Sequence, residues 1–284
     1  MNYRHAFHAG NFADVLKHAV LCLALARLAD KDKPFLVVDT HAGAGRYDLA
    51  ADAAQRTREA GGGILRLLEA AARPASLKRY VEIVRNFDRL MGGTGKPIRH
   101  YPGSPRFVRA MLRPGDRLVA CELHEKDGLA LRREFAGDPL VEIRRSDGYA
   151  ALKALLPPAE RRGLVLIDPP FEARDEFERL QVALGQALRR FATGLYLVWY
   201  PVKDAAAIAA FKAWLAGAGL RRTLTAELQI ENPDGPGLAR AGVALINAPW
   251  PIEDELAKLG PWLARALGGA DAAFELQWIA RDQA

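Results

Sequence analysis

The apolar residues of this 284-residue chain are concentrated in short runs that recur along it. These runs occupy 35–38, 118–121, 164–167 and 195–200, and apolar and charged residues alternate in a further predicted strand at 141–144. The run at 164–167 has no polar position, which is typical of a central parallel strand covered on both faces. The stretch at 175–191, between the last two runs, predicts a connecting helix. The pattern as a whole predicts an α/β fold with a Rossmann-like open sheet.

The first two predicted strands are separated by an unusually long connection. It spans roughly 80 residues, whereas a complete βαβ unit takes roughly 30. Helical patterns at 60–72 and 77–90 and a glycine-rich loop at 92–95 lie within it. We predict an inserted helical subdomain at 48–96, within a core formed by 1–47 and 97–284. The displaced crossover helix would begin at the N-cap Ser104, with Pro105 in its first turn, and run to 112.

The carboxyl-terminal part of the chain predicts further strands. Residues 225–231 and 242–247 form an expected antiparallel pair across a Pro/Gly-rich loop at 232–237. Residues 272–279 predict another strand. No internal repeat accompanies them.

The amino-terminal segment crowds polar and aromatic residues together before and within a predicted helix. Asn11 can cap this helix, which continues through apolar positions to Leu28. Lys17 and His18 fall inside it. One interpretation is a solvated first turn; the other is a basic and aromatic arm that binds nucleic acid or lines a site. A metal site at His5, His8 and His18 is disfavoured because no carboxylate or cysteine cluster joins them.

Four successive strands are followed by an acid. These acids are Asp39, Glu122, Asp147 and Asp168. The carboxyl ends of parallel strands meet at one edge of an open sheet, where ligands bind. An acid after the second strand is the usual partner of a ribose diol, and Asp147 is placed to accept from an adenine amino group.

Small residues and glycines follow the first acid directly. Gly43 and Gly45 allow a ligand to approach the backbone closely. The dinucleotide fingerprint needs a third small residue, but Asp48 stands at that position. The spacing therefore favours a cradle for S-adenosyl-L-methionine over one for a nicotinamide cofactor.

The fourth strand ends in the sequence Asp168-Pro169-Pro170-Phe171. The prolines cannot donate to a strand ladder, so they stop the strand and fix an acid at its carboxyl end. A carboxylate, a rigid carbonyl and a flat ring suit a planar group with an exocyclic amine, such as a nucleobase. Asp168, Pro169 and Phe171 are the candidate catalytic residues. The alternative interpretation is a strand stop followed by a packed phenylalanine.

Composition and charge add weaker constraints. The formal net charge is +6 and the isoelectric point is near 9.4, which favours a polyanionic partner. The two cysteines provide neither a disulfide framework nor a zinc cluster, and we predict no metal. No apolar run reaches the roughly 20 residues needed to cross a bilayer. We expect a cytoplasmic protein without a membrane partner.

Four stretches of the chain together resemble one known family. Residues 3–11, 39–47, 101–105 and 168–172 look like the RlmJ family of bacterial 23S ribosomal RNA adenine-N6 methyltransferases, and the likeness extends over nearly the whole chain. It implies a class I methyltransferase core that uses S-adenosyl-L-methionine, with a small helical insertion. The catalytic acid of the family corresponds to Asp168. The cofactor-binding residues that the resemblance implies are His18, His41, Ser104, Glu122, Asp147 and Gly148. The spacing of the loop adds Gly43 and Gly45 to these candidates.

The resemblance also implies how RNA would be held. Tyr3 matches a residue at the RNA-facing mouth of the site, and Lys17 lies next to it. With Arg4 and Arg46 they are the candidate substrate-binding residues. We expect Arg4, Lys17 and Arg46 to hold phosphates. The expected partner is 23S ribosomal RNA, protein-free or in an early assembly intermediate, and we expect a monomer. Phe171 departs from the tyrosine that is common in this motif, and it loses a hydroxyl while keeping a face for stacking.

Three alternatives share parts of this pattern. A methyltransferase acting on DNA adenine or on protein glutamine would use the same Asp-Pro-Pro-Phe motif. A nicotinamide oxidoreductase is disfavoured by Asp48 and by that motif. A non-catalytic RNA-binding module would be expected to have lost one of the acids or glycines, and none is missing.

Overall fold

A computed structural model describes residues 4–231 and 237–281 and contains a large sheet and a small one. The strands are Leu36–Asp39 (β1), Arg46–Asp48 (β2), His100–Pro102 (β3), Arg117–Cys121 (β4), Val141–Arg144 (β5), Gly163–Ile167 (β6), Leu195–Pro201 (β7), Thr223–Gln229 (β8), Arg240–Ile246 (β9) and Ala273–Ala280 (β10). The helices are Phe12–Ala29 (α1), Asp52–Thr57 (α2), Arg66–Glu69 (α3), Lys78–Leu90 (α4), Ser104–Arg109 (α5), Glu125–Glu134 (α6), Gly148–Leu155 (α7), Glu176–Arg190 (α8), Ala205–Gly217 (α9) and Ile252–Leu267 (α10). Short 3-10 turns at His5–Phe7 and Ala75–Leu77 complete the list, with a π turn at Gly61–Leu65.

The large sheet has the strand order β10-β8-β9-β7-β6-β1-β4-β5. Strands β5, β4, β1, β6 and β7 run parallel, whereas β9 lies antiparallel between β7 and β8, and β10 is antiparallel to β8. The chain moves outward from β1 to β4 and β5, then crosses back to β6 and β7. The switch point between β1 and β6 is where an open α/β sheet binds its ligand.

Two hydrophobic layers cover the sheet. Alternate positions of the central strands face opposite ways, so that Val37 and Leu166 enter one layer while Val38 and Val165 enter the other. The first layer is completed by α1, α5 and α10 and the second by α7, α8 and α9. Burial on both faces explains why β6 carries no polar residue. No helix in the described part of the chain is long and apolar enough to cross a membrane.

The connection after β1 differs in part from the prediction. The expected helix at 60–72 is instead the turn Gly61–Leu65 followed by the short α3. The cause is Gly63, which has a non-helical backbone and whose α-carbon faces the carbonyl of Gly10 so closely that an added Cβ would lie 2.1 Å from its oxygen. The prediction also missed the two-stranded sheet of β2 and β3, in which Arg46 pairs with Pro102 and Asp48 with His100.

The helix after that sheet also begins differently from the prediction. Gly103 occupies the N-cap position, and Ser104 is the first residue of α5. The predicted N-cap role of Ser104 is therefore wrong, because its hydroxyl donates to Asp39 Oδ2 over 2.6 Å. The helix is also shorter than expected and ends at Arg109.

Candidate active site

A cavity of about 290 Å³ opens at the carboxyl ends of β1 and β6, at the switch point of the sheet. The first helix, the glycine loop after β1 and the turn after β6 surround it. Predicted site residues that line it are His18, His41, Gly43, Ser104, Glu122, Lys17, Asp168, Pro169 and Phe171. Predicted site residues that are more than 100 positions apart in the chain, such as Lys17 and Asp168, thus line the same cavity.

The turn after β6 forms the floor of this cavity. Strand β6 is entirely buried and ends at Ile167, so Asp168 is the first residue beyond the ladder. Phe171 has a left-handed backbone with φ of 48°, and this turn aims its ring toward two other aromatic side chains. Its centroid lies 4.8 Å from that of Phe177 and 5.8 Å from that of Trp199. The ring is therefore held in place at the cavity wall.

A chain of ion pairs fixes the Asp168 carboxylate. Lys17 Nζ bonds to Asp168 Oδ2 and lies 2.8 Å from Asp14 Oδ1. Burial alone lowers the pKa of Lys17, but the two carboxylates outweigh it and raise that pKa above its ordinary value. Burial alone would likewise raise the pKa of Asp14, yet His5 and Lys17 hold it well below its ordinary range. Lys17 therefore stays a cation between two carboxylates.

The amino-terminal turn is joined to this chain of charges. His5 Nε2 lies 2.8 Å from Asp14 Oδ2, and the N–H of Gly10 donates to the same oxygen over 2.9 Å. His8 lies 2.8 Å from Glu59, and this hydrogen bond is the main reason that the pKa of His8 is raised. Of the two interpretations of this segment, the solvated first turn is wrong, because Asp14, Lys17 and His18 are all buried. The segment lines the site instead.

His18 brings a buried imidazole to the cavity. Its Nδ1 bonds to the hydroxyl of Tyr101 over 2.8 Å, and its ring stacks on Phe107 with centroids 4.6 Å apart. Burial and the neighbouring Lys17 hold its pKa well below the ordinary value, so the ring is neutral. Within the described residues Nε2 has no hydrogen-bond partner although it is buried. A buried polar atom of this kind calls for a partner from a bound molecule.

The glycine loop after β1 is anchored to the end of β4. Glu122 accepts from the N–H of Gly43 over 2.8 Å and from that of His124 over 2.7 Å, one oxygen for each donor. Burial is the largest influence on Glu122 and raises its pKa. Each oxygen keeps a second lone pair, so the carboxylate can still accept from a hydroxyl pair. Gly45 packs on Leu131 and Phe135 and shapes the loop without lining the cavity.

A second, smaller cavity of about 40 Å³ adjoins the first and collects the other predicted cofactor residues. His41, Asp147 and Gly148 line it together with Glu122. Burial lowers the pKa of His41 to about 4, so its ring is neutral. Asp147 caps α7 by accepting from the N–H of Ala150 over 3.1 Å. Gly148 lies so close to the Thr40 carbonyl that an added Cβ would be 2.0 Å from its oxygen.

Asp39 lies beneath the cavity and does not line it. Although it was expected at the crevice with the other acids, it is fully buried and accepts from the Ser104 hydroxyl. Burial is the main reason that the pKa of Asp39 is raised to about 7. The hydrogen bond from Ser104 lowers this pKa, whereas the nearby carboxylate of Asp168 raises it further. The crevice therefore receives three of the four acids.

The predicted RNA contacts are dispersed. Arg4 is exposed and its guanidinium lies 3.5 Å from Asp127, a residue of the cavity wall. Arg46 is exposed on β2, lies 3.6 Å from Glu134 and does not line the cavity. Lys17 faces Asp168 and not solvent, which removes it from the set of accessible phosphate contacts. Tyr3 lies outside the described residues.

Several cavity residues were absent from the predicted site, and three of them bear on its chemistry. Asp14 holds Lys17, Trp199 packs on Phe171, and the exposed Lys203 lies at the mouth. The first could have been found, because Asp14 and Lys17 are three residues apart, at the spacing of neighbours on one helix face, in a mostly apolar helix. Trp199 lies in the apolar run of β7, where nothing distinguishes it from a core residue. In the described residues no group of histidines, cysteines and acids could hold a metal ion.

The strand order, with the antiparallel strands β9 and β10 on one side of a parallel set, and the polar crevice at the switch point define a Rossmann-like class I methyltransferase fold, as predicted. A family model described as "Ribosomal RNA large subunit methyltransferase D, RlmJ" matches residues 32–280. The chain belongs to this family, which confirms the resemblance seen in the sequence.

Individual relatives resemble the chain over almost its full length. The "Ribosomal RNA large subunit methyltransferase J" of Escherichia coli is 43% identical over 281 residues, which is 98% of this chain and 99% of that protein. The protein of the same name from Haemophilus influenzae is 38% identical over the same shares. The crystal structure of a Legionella pneumophila protein superposes with a TM-score of 0.88 at 33% identity, covering 95% of this chain and 98% of the other.

Proposed function

We propose that the chain transfers a methyl group from S-adenosyl-L-methionine to the N6 amine of an adenine in 23S ribosomal RNA. The observation that carries this proposal is the fixed Asp168 carboxylate beside Pro169 and Phe171 in the switch-point cavity. The names of the E. coli and H. influenzae relatives, both ribosomal RNA large subunit methyltransferases, support the substrate class.

The residues of the two cavities fit this cofactor. His18 has a buried Nε2 that lacks a partner within the described residues, and Glu122 can accept from a ribose diol. Gly148 lines the smaller cavity, and its lack of a Cβ lets the backbone of Thr40 pack directly against it. We infer that these three hold S-adenosyl-L-methionine together with His41, Gly43, Gly45, Ser104 and Asp147. Ser104 and Gly45 would act by shaping the cradle, because one is bonded to Asp39 and the other packs on α6. When bound, the cofactor supplies an electrophilic methyl carbon.

The turn after β6 would hold the target base. The N6 amine cannot be reached inside a base stack, so the adenine must be unstacked and inserted. Asp168 and the Pro169 carbonyl then accept hydrogen bonds from the amine, which orients the nitrogen lone pair. Asp168 is the nearest acceptor for the proton that leaves the nitrogen. Phe171 would stack on the base, a contact worth about 1–3 kcal/mol.

Charged residues at the mouth would hold the RNA backbone. Arg4 and Lys203 are exposed around the cavity, and Arg46 lies further out on β2. We reassign Lys17 from a phosphate contact to the support of Asp168, since it is buried between two carboxylates. We further propose that 48–96 is an inserted unit, a division supported by the pairing of β2 with β3 at its two ends.

We also propose that the protein acts in the cytoplasm as a monomer, on RNA that is protein-free or in an early assembly intermediate. Unstacking of the target base supports this choice, since packed ribosomal proteins would oppose it. Light scattering of the purified protein tests the monomer. Methylation of naked 23S RNA compared with assembled large subunits tests the stage of the substrate.

The direct test measures N6-methyladenine by mass spectrometry. Purified protein and labelled S-adenosyl-L-methionine are incubated with naked 23S RNA, duplex DNA or a glutamine-containing protein fraction. We expect label in RNA adenine alone, and label mainly in DNA or protein would favour the other classes that share the Asp-Pro-Pro-Phe motif. Asp168→Ala should bind the cofactor normally in calorimetry but transfer no methyl group. Full activity in that variant would refute the role of Asp168.

A further inference from the structure

Asp14 is a buried acid that the proposed chemistry does not use directly. Its side chain is 1% exposed, and it has three different partners. Oδ1 lies 2.8 Å from Lys17 Nζ, while Oδ2 lies 2.8 Å from His5 Nε2 and accepts from the Gly10 N–H over 2.9 Å. Burial of a carboxylate is costly unless such partners satisfy it. A helix that needed only a core residue here would carry an apolar side chain.

The position of Asp14 in the helix determines what it can hold. Asn11 caps α1 and accepts from the N–H of Asp14, which places Asp14 in the first turn. Lys17 follows one turn later on the same face of the helix. Because Lys17 also bonds to Asp168, the ammonium group lies between two carboxylates that come from opposite sides of the cavity.

Asp14 affects how Lys17 holds Asp168 and how the amino-terminal turn is held. With Asp14 present, Lys17 divides its hydrogen bonds between two acids, so Asp168 is held in place without giving all of its acceptor strength to the lysine. Without Asp14, the lysine would pair with Asp168 alone and would be free to change its rotamer. The amino-terminal turn would also lose its tie through His5.

We propose that Asp14 is a positioning residue for methyl transfer, which acts by holding Lys17 against Asp168. This inference rests on the proposed function, since it assigns Asp14 a part in the same site. Asp14 need not contact the substrate, because its effect on Asp168 is transmitted through Lys17.

The test is a double-mutant cycle with Asp14→Asn, Lys17→Met and the variant that combines them. In each single variant the remaining buried group keeps one partner, Asp168 for the lysine and His5 for the aspartate. We expect Asp14→Asn to lower kcat by roughly 10- to 100-fold, the scale of a displacement of about 1 Å at a reacting group. The Kd for the cofactor should change by less than about 2-fold, well below the tenfold step that 1.4 kcal/mol represents.

Coupling between the two residues separates positioning from simple destabilisation. If Asp14 acts through Lys17, the combined variant should lose little more activity than Lys17→Met alone. If the fold-loss in kcat of the combined variant equals the product of the losses in the two single variants, the proposal is overturned. A kcat in Asp14→Asn equal to that of the parent protein would overturn it as well. Asp116→Asn is the matched control, because Asp116 is equally buried but lies away from the site, bonded to Arg113 and the Phe35 N–H. It should lower thermal stability and leave kcat unchanged.

A second measurement does not depend on catalysis. Brief acetylation of the folded protein, followed by mass spectrometry of peptides, reports how accessible and basic each lysine is. Lys17 should be unreactive in the parent protein and become reactive in Asp14→Asn, whereas exposed Lys203 should react equally in both. Unchanged protection of Lys17 would overturn the proposal even if the variant folded poorly. If the parent protein methylates no RNA while this lysine result holds, the proposed function fails and the positioning of Lys17 by Asp14 survives.

Discussion

The burial of Asp39 under the crevice makes the stability of the protein depend on pH in a defined direction. The pKa of this carboxyl is raised from its ordinary 3.8 to about 7, chiefly by burial. The folded state therefore binds a proton that the unfolded chain releases at lower pH. This contribution to stability is complete below the unfolded pKa and is lost as the pH rises through the folded one.

Asparagine at position 39 isolates this effect, because it has nearly the same shape and no charge. A difference of about three between the folded and unfolded pKa of Asp39 corresponds to a total change of about 4 kcal/mol in the free energy of unfolding. About 3 kcal/mol of this free energy of unfolding is lost as the pH rises from about 5 to about 8.5. We therefore expect Asp39→Asn to gain about 6 °C in melting temperature relative to the parent protein between these two conditions, at roughly 2 °C per kcal/mol for a large domain.

The assay is thermal unfolding of both proteins without cofactor, followed by circular dichroism across this pH range. The comparison at each pH cancels the titration of all other groups. Asp116→Asn serves as the control, since its fully buried carboxylate is bonded to an arginine. Its melting temperature is compared with that of the parent protein at the same pH values. A pH-independent difference between Asp39→Asn and the parent protein would refute the reasoning.

Two other predictions concern the proposed cofactor and base contacts. Gly148→Ala should weaken binding of S-adenosyl-L-methionine at least tenfold in calorimetry, because a Cβ would lie 2.0 Å from the Thr40 oxygen and displace the adjoining loop. Gly217→Ala, where a Cβ meets nothing within 4 Å, is its control, and equal affinities in the two would contradict the prediction. Phe171→Ala should raise the KM for RNA by roughly 5- to 150-fold, the equivalent of losing about 1–3 kcal/mol of stacking. Phe171→Tyr should remain close to the parent protein, and a loss like that of the alanine variant would show that stacking is not the role of the ring.

The sequence was most informative where local pattern decides structure. An unbroken apolar run that ends in an acid and two prolines indicates a buried strand with a fixed end, and β6 and Asp168 follow that expectation. The acids after β4 and β6 reach the cavity because the carboxyl ends of parallel strands share an edge. The strands β7 to β10 were likewise indicated by their apolar positions.

What the sequence left out depends on distant contacts. Asp39 and Ser104 are 65 positions apart, and neither residue alone reveals that the hydroxyl serves a buried acid instead of capping its helix. The glycine-rich stretch before α3 looked helical because its apolar spacing is helical, but the close approach of Gly63 to the backbone of Gly10 breaks it. The burial of Lys17 has the same origin, since its partner Asp168 lies 151 positions further along the chain.

That last separation has a consequence for the order in which the protein becomes active during synthesis. The first helix leaves the ribosome with Lys17 and Asp14, but Asp168, the proposed acceptor of the amine, is added only after β1, β4 and β5 have been made. A nascent chain shorter than β6 therefore lacks the proposed acceptor group. If Asp168 has this role, such a chain would be inactive toward ribosomal RNA until the fourth parallel strand pairs with the first.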